Sequence, residues 1–164
     1  MEYTIEDIAS IVGGKIIQYN SKVIHNVCID SRKCCALSLF IPIPGENTDG
    51  TEYIAEALQK GAVCCIVQSN VQMVEGIGYI IVEDNIKALQ QIAAKYKLKF
   101  PIPTIGITGS VGKTTLCCLI ASILKKQYKV LHDEENENNN TYSFISTDLL
   151  NAKEYDIAVL ELGT

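Results

Sequence analysis

The sequence has no basic stripe, no CxxC pair and no apolar run approaching the ~20 residues needed to span a bilayer. Each absence excludes something. Fourteen Lys and Arg against nineteen Asp and Glu leave a formal charge of -5, which argues against a nucleic-acid partner held through its phosphates. An anionic ligand therefore needs local donors. The N-terminus, MEYTIEDIAS, lacks the cationic and apolar regions of a secretion signal, so no membrane insertion is expected and the chain reads as cytoplasmic. The two histidines, His25 and His132, do not stand at zinc-ligand spacing from any cysteine. A lone histidine on a β-rich run or at a loop edge reads as structural or solvated.

Cysteine is present, with seven residues that include the adjacent pairs Cys34-Cys35, Cys64-Cys65 and Cys117-Cys118. Their spacing suggests neither a disulfide framework nor a metal site. Cys64, Cys65, Cys117 and Cys118 lie inside apolar runs, where a free thiol behaves as a small hydrophobe.

With 48% hydrophobic and 20% charged residues, the chain can bury a core, and its first hundred residues alternate short strands and helices. Helical spacing over Ile5 to Val12 stops at Gly13-Gly14. Strands are expected at Lys15 to Gln18, Val23 to Ile29, Leu39 to Ile43, Ala62 to Val67 and Tyr79 to Val82. From Thr51, which can cap a helix, Tyr53, Ile54, Ala57 and Leu58 mark a helical face that closes at Gly61. Asp84 can cap a helix with Ile86, Leu89, Ile92, Ala93 and Tyr96 facing inward, running to about Lys99. Phe100-Pro101-Ile102-Pro103 interrupts the alternation, because each proline removes a donor and restricts its predecessor. A domain boundary is expected there.

Beyond it, Thr104 to Thr108 reads as a strand that turns through glycines into a helix from Lys113 to about Gln127. Short strands are expected at Lys129 to Leu131 and Tyr155 to Leu160. Leu116, Leu119, Ile120, Ile123 and Leu124 fall at i, i+3, i+4, i+7 and i+8, a stripe suited to packing on the sheet. A strand bending tightly into a helix aims backbone N–H groups and the positive dipole end at one point, which suits a phosphate. Lys113 adds a formal charge, and the Thr114 hydroxyl suits a magnesium ion that bridges phosphates. The common P-loop glycine spacing is not met, since Ile107 occupies its first position and Gly106 and Gly109 are the glycines available. Glu161 follows the apolar strand and stands where a carboxylate approaches that magnesium in P-loop proteins.

These residues resemble the Mur ligases. TGSVGKTT (108–115) is similar to that family's ATP-binding loop, TG-x-x-GKTT, and AVLELGT (158–164) is similar to its magnesium-binding strand end. Asp30-Ser31-Arg32, Leu39-Phe40-Ile41, Pro44-Gly45-Glu46-Asn47-Thr48-Asp49-Gly50 and Lys60-Gly61-Ala62 resemble the family's substrate-nucleotide domain in order and spacing. The resemblance implies an α/β fold in which a small N-terminal substrate-recognition domain (1–100) and a linker (101–103) precede the first part of a parallel-sheet P-loop ATPase domain (104–164). It implies that Thr108, Gly109, Ser110, Val111, Gly112, Lys113, Thr114 and Thr115 hold the ATP phosphates, with Lys113 catalytic. It further implies that Thr114 and Glu161 hold Mg2+, and that Ser31, Arg32, Gly45, Asp49 and Gly50 contact the UDP part of the substrate. Ser110, and Asn136, Asn138 and Asn139 as loop contacts, resemble the member that adds D-alanyl-D-alanine to UDP-N-acetylmuramoyl-tripeptide in peptidoglycan precursor synthesis. The implied chemistry is an acyl phosphate attacked by an amine.

Some features depart from the family pattern. Thr51 stands where histidine is common, and the tract HDEENENNN (132–140) lacks the usual glycines and carries acidic side chains that repel triphosphate. The family's enzymes continue through the rest of the ATPase domain and a C-terminal domain. The expectation is therefore that the 164 residues ligate little by themselves, or that a second chain supplies the missing domains. Rival readings are a non-catalytic nucleotide or UDP-sugar binding module, the Mur ligase adding the third amino acid, and a different P-loop kinase or amide synthetase, which the N-terminal motifs disfavour.

Overall fold

Helix formation begins at Thr4, whose hydroxyl accepts from the Asp7 amide (3.2 Å) while the Asp7 carboxylate accepts from the Thr4 amide (2.9 Å). This reciprocal cap starts α1 (Ile5–Val12), and Gly13 ends it in the left-handed conformation, φ 63°. The computed structural model describes residues 2–19, 21–43, 50–68, 71–99, 101–132 and 154–162. Gly45, Asp49, Asn136, Asn138 and Asn139 lie outside the described residues. The chain divides into two units, Met1–Ile92 and Ala93–Thr164.

The first unit contains a five-stranded sheet in the order β1-β5-β4-β3-β2, formed by β1 (Lys15–Gln18), β2 (Asn26–Cys28), β3 (Ser38–Phe40), β4 (Ala62–Val67) and β5 (Gly78–Ile81). Only the β1–β5 pair is antiparallel. β4 is central, and all six of its residues are buried, as expected for a parallel strand covered on both faces. Cys65, Val67 and Tyr79 join Phe40, Ile54 and Ala57 in one core cluster, over which α2 (Ile54–Gln59) packs. The pleat turns Cys64 and Ile66, both fully buried, to the opposite face. Asp84 caps α3 (Asn85–Lys99) by accepting from the Ile86 and Lys87 amides at 2.8 and 3.1 Å, and Leu89, Ile92, Ala93 and Tyr96 are buried on it.

The strand expected over Val23 to Ile29 is only Asn26–Cys28, because Ile24 exchanges both backbone hydrogen bonds with Tyr3 (3.2 and 2.7 Å) before the chain joins β3. Helix α2 starts at Ile54 with Tyr53 at its cap position, so Thr51 lies within the preceding 3-10 turn, Gly50–Tyr53, and not at the cap. Cys28 and Cys34 form a disulfide. Their Cα atoms come within 5.8 Å because the 3-10 turn Ser31–Lys33 folds the chain back between them.

The second unit carries a three-stranded parallel sheet, order β6-β8-β7, from β6 (Thr104–Ile107), β7 (Val130–Leu131) and β8 (Ile157–Glu161). Helix α4 (Lys113–Leu124) covers one face. Its inward residues are Cys117 and Ala121, with Ile120 and Leu124 partly buried against Ile107, Val130 and Val159. The expected stripe is thus rotated: Leu116 (47% exposed), Leu119 and Ile123 face away from this core, and Cys118 is exposed rather than buried. The helix is apolar almost all round, so the way it leaves the glycine turn decides which side meets the sheet. Ala158 and Leu160 line the sheet's other face with Leu131, Ile102 and Tyr155.

Candidate functional site

Parallel pairing of β6 with β8 aligns Ile107 with Glu161, and the Leu162 amide donates to the Ile107 carbonyl at 2.8 Å. The carboxylate of Glu161 therefore stands level with the point where β6 ends. Ile107, at the position where a common P-loop has glycine, is buried in the core beneath α4. The conformational freedom comes from Gly109 (φ 148°) and Gly112 (φ 76°). A Cβ built on either would meet no atom within 4 Å, so a ligand can approach the backbone closely at both points.

Gly112 occupies the N-cap of α4 with no side-chain cap bond. Among the described residues no side chain caps the amides of the first turn, which have no acceptor within the helix, so they and the positive dipole end face the loop. Lys113 curls back so that its Nζ donates to the Gly109 carbonyl at 2.7 Å. The Thr114 hydroxyl donates to Glu161 Oε2 at 2.8 Å. Cys117, one turn further along, is buried, and its thiol is pushed up first by burial and then by the charge of Glu161. It stays a neutral packing group beneath the site.

The donor set fits the ligands expected from the sequence. A hydroxyl and a carboxylate on adjacent elements are hard oxygen ligands, which suit Mg2+ completed by phosphate oxygens and water. Among the described residues no group of three or more His, Cys, Asp or Glu could hold a metal ion.

The other predicted site residues belong to the first unit. Asp30 caps the 3-10 turn by accepting from the Arg32 amide at 2.9 Å. Arg32 Nε and Nη2 also donate to Asp30, at 3.0 and 2.9 Å, and this guanidinium holds the Asp30 carboxyl below the usual carboxylate range. Two of the three guanidinium nitrogens of Arg32 are thus engaged by Asp30. Ser31 is buried and donates to Glu56 Oε2 at 2.5 Å. Lys60 pairs with the same Glu56 at 3.0 Å and donates to the Arg32 carbonyl at 3.2 Å. Hydrogen bonding from Ser31 and then Lys60 keeps the Glu56 carboxyl low. Gly50 lies against the chain at Pro42-Ile43, where a Cβ would stand 2.8 Å from the Ile43 carbonyl oxygen. Asn85, buried at the start of α3, donates to the Pro42 carbonyl at 2.7 Å. Sequence reasoning named Asp30 only as part of its motif and missed Glu56 and Asn85 as supports. The i, i+4 spacing of Glu56 and Lys60 was the one available signal.

Residues 23–104 match the Mur ligase family, catalytic domain, and residues 107–164 match the Mur ligase middle domain. The chain belongs to the Mur ligase family. It is similar to the UDP-N-acetylmuramoyl-tripeptide–D-alanyl-D-alanine ligase of Bacillus subtilis (strain 168), 37% identical over 163 residues, covering 98% of this chain and 35% of that protein. A UDP-N-acetylmuramoyl-L-alanyl-D-glutamate–2,6-diaminopimelate ligase from Caldanaerobacter subterraneus is 38% identical over 109 residues, 63% of this chain and 22% of that one. Among solved structures, MurF from Acinetobacter baumannii superposes with a TM-score of 0.84 at 27% identity, covering all of this chain and 36% of that one. MurF ligase from Thermotoga maritima in complex with ADP superposes with a TM-score of 0.71 at 26% identity over 85% of this chain and 32% of that one. This Mur ligase chain spans about a third of the length of the curated relatives it matches. No helix among the described residues is long and apolar enough to cross a membrane.

Proposed function

We propose that this chain carries the uridine-nucleotide recognition and ATP-phosphate-binding parts of a cytoplasmic ligase that joins D-alanyl-D-alanine to UDP-N-acetylmuramoyl-tripeptide. The observation that carries this reading is the meeting of Lys113, Thr114 and Glu161 around a loop held open by Gly109 and Gly112. The D-alanyl-D-alanine assignment draws on the 98% coverage of this chain by the Bacillus subtilis relative, against 63% for the diaminopimelate-adding relative. The recognition unit is assigned to residues 1–100, the linker to 101–103 and the phosphate-binding unit to 104–164, which keeps α3 whole although the division of the chain into compact units falls inside it, between Ile92 and Ala93.

The chemistry follows from charge. A substrate carboxylate oxygen attacks the γ-phosphorus of ATP, the bond to the β-phosphate oxygen breaks, and ADP leaves behind an acyl phosphate. The amine then attacks the acyl carbon, loses a proton and expels phosphate. Both steps place negative charge on phosphoryl oxygens, which preorganised donors neutralise. Lys113 would leave the Gly109 carbonyl for a phosphate oxygen, and the amides of residues 109 to 115 would surround the β-phosphate. Mg2+, held by Thr114 and Glu161, would supply Lewis-acid polarisation of the γ-phosphoryl group. Ser31 and Arg32 with Gly45, Asp49 and Gly50 would hold the UDP portion, and Asn136, Asn138 and Asn139 are assigned as further contacts.

Calorimetric titration of the chain with ATP and Mg2+, and separately with UDP-N-acetylmuramoyl-tripeptide, tests the reading. Both ligands should bind and raise the melting temperature. Binding of the uridine ligand alone would favour a non-catalytic recognition module, and binding of neither would sink the proposal.

A further inference from the structure

The disulfide brackets the substrate motif. Cys28 ends β2, Cys34 follows the 3-10 turn, and Asp30, Ser31 and Arg32 are the middle three of the five residues between them. The turn is tied to its surroundings by Lys60, which reaches the Arg32 carbonyl, and by Ser31, which reaches Glu56. Its exit is constrained as well. Leu37 has φ 61°, a left-handed conformation that an L side chain keeps only when its surroundings enforce it. The Leu37 amide donates to the Gly61 carbonyl at 2.9 Å, and Gly61 (φ 103°) has no room for a Cβ, which would lie 2.8 Å from the Ala36 Cα. Between these ties the bridge is the one covalent constraint. Both its cysteines retain slight exposure, 7% and 8%, and the neighbouring thiol of Cys35 is exposed.

We propose that the Cys28–Cys34 disulfide is a redox-controlled clamp that orders the Asp30-Ser31-Arg32 turn for a uridine nucleotide, and that small thiols release it. The ligand in this statement rests on the proposed function, and so does the setting. In a reducing compartment a protein disulfide is a transient, redox-responsive bond rather than a permanent staple. Release consumes two small-molecule thiols. The first thiolate attacks one cysteine sulfur, breaking the S–S bond to give a mixed disulfide and a cysteine thiolate. The second attacks the mixed disulfide and expels the other cysteine. The small thiols leave as their own disulfide, and the two cysteine sulfurs gain two electrons and two protons.

The test uses the full chain, with and without dithiothreitol. Alkylation in denaturant followed by intact mass should add to five cysteines before reduction and to seven after it, since Cys64, Cys65 and Cys117 are buried in the folded chain. Exchange of the Arg32 and Cys34 amides, which donate to Asp30 and Ser31, should quicken about tenfold on reduction, while amides of β4 are unaffected. The Kd for UDP should rise about fivefold as the turn loses its preorganisation. A Cys34→Ser chain should match the reduced protein, and a Cys35→Ser chain should match the oxidised one. Seven alkylations without reductant, or amide exchange indifferent to reduction, would overturn the clamp. An equal UDP affinity in both states would overturn its link to the ligand. If UDP binds neither state, the uridine reading fails, and the exchange data by themselves uphold or reject the clamp.

Discussion

The loop at 108–115 and the turn at 28–34 are built from different parts. The loop is made by the backbone: two glycines with positive φ, a helix start and a strand end set its shape, and its side chains add two hydrogen bonds, Lys113 to Gly109 and Thr114 to Glu161. The turn is made by side chains: Asp30, Ser31 and Arg32 are held by one another and by Glu56, Lys60 and a disulfide. A backbone-built site leaves its main-chain donors available for a ligand, whereas a side-chain-built site has spent many of its donors on its own shape. The loop can therefore lose a side chain and keep its fold, while the turn should lose order when a partner is removed.

The largest expected effect on this contrast comes from Lys113→Ala. It should weaken ATP binding about thirtyfold, roughly the 2 kcal/mol of a charge-assisted hydrogen bond, with the melting temperature unchanged, as calorimetry and thermal unfolding would check. A large loss of stability would contradict a backbone-built loop. Gly112→Ala should do the reverse, lowering stability by about 1–2 kcal/mol, since a Cβ at φ 76° is strained whatever the space. Denaturant unfolding reads this directly. Thr114→Val should cost about 1 kcal/mol and remove the magnesium-dependent part of ATP affinity, measured by titration with and without Mg2+. The smallest effect concerns the turn and pH. The carboxyls of Asp30 and Glu56 are both held low in the folded chain, so their contribution is present above the ordinary carboxylate range and is lost as pH falls through and below it. Melting temperature should decline over that window, and the Asp30→Asn/Glu56→Gln pair should decline less. An identical slope would remove the ion pairs from the account.

The same contrast explains what could be read in advance. Helix α1, β1 and β4 lie at the expected residues, and α3 runs over its expected span, because glycine stops, the Asp84 cap and unbroken apolar runs are local signals. The loop was legible for the same reason, since residues 108–115 are consecutive, whereas the hydrogen bond from Thr114 to Glu161 crosses 47 positions and needed the sheet. The turn was legible only as a motif. Nothing local connects Ser31 to Glu56 across 25 positions, or Asn85 to Pro42 across 43. The Cys28–Cys34 bridge was missed because a six-residue spacing does not announce that the chain folds back between the two sulfurs.

The sequence by itself determined the local backbone: where helices stop, where the chain must bend through glycine, and that a lysine and two threonines open the helix after that bend. Tertiary structure alone decided which side of α4 meets the sheet, placing Cys117 and Ala121 inward and leaving Leu116, Leu119 and Ile123 exposed. It also decided that Glu161 comes level with Ile107 and that Cys28 reaches Cys34. The physical reason is that backbone preference depends on neighbours in the chain. The rotation of an all-round apolar helix, the register of parallel strands and the meeting of distant side chains are set only when separated segments pack.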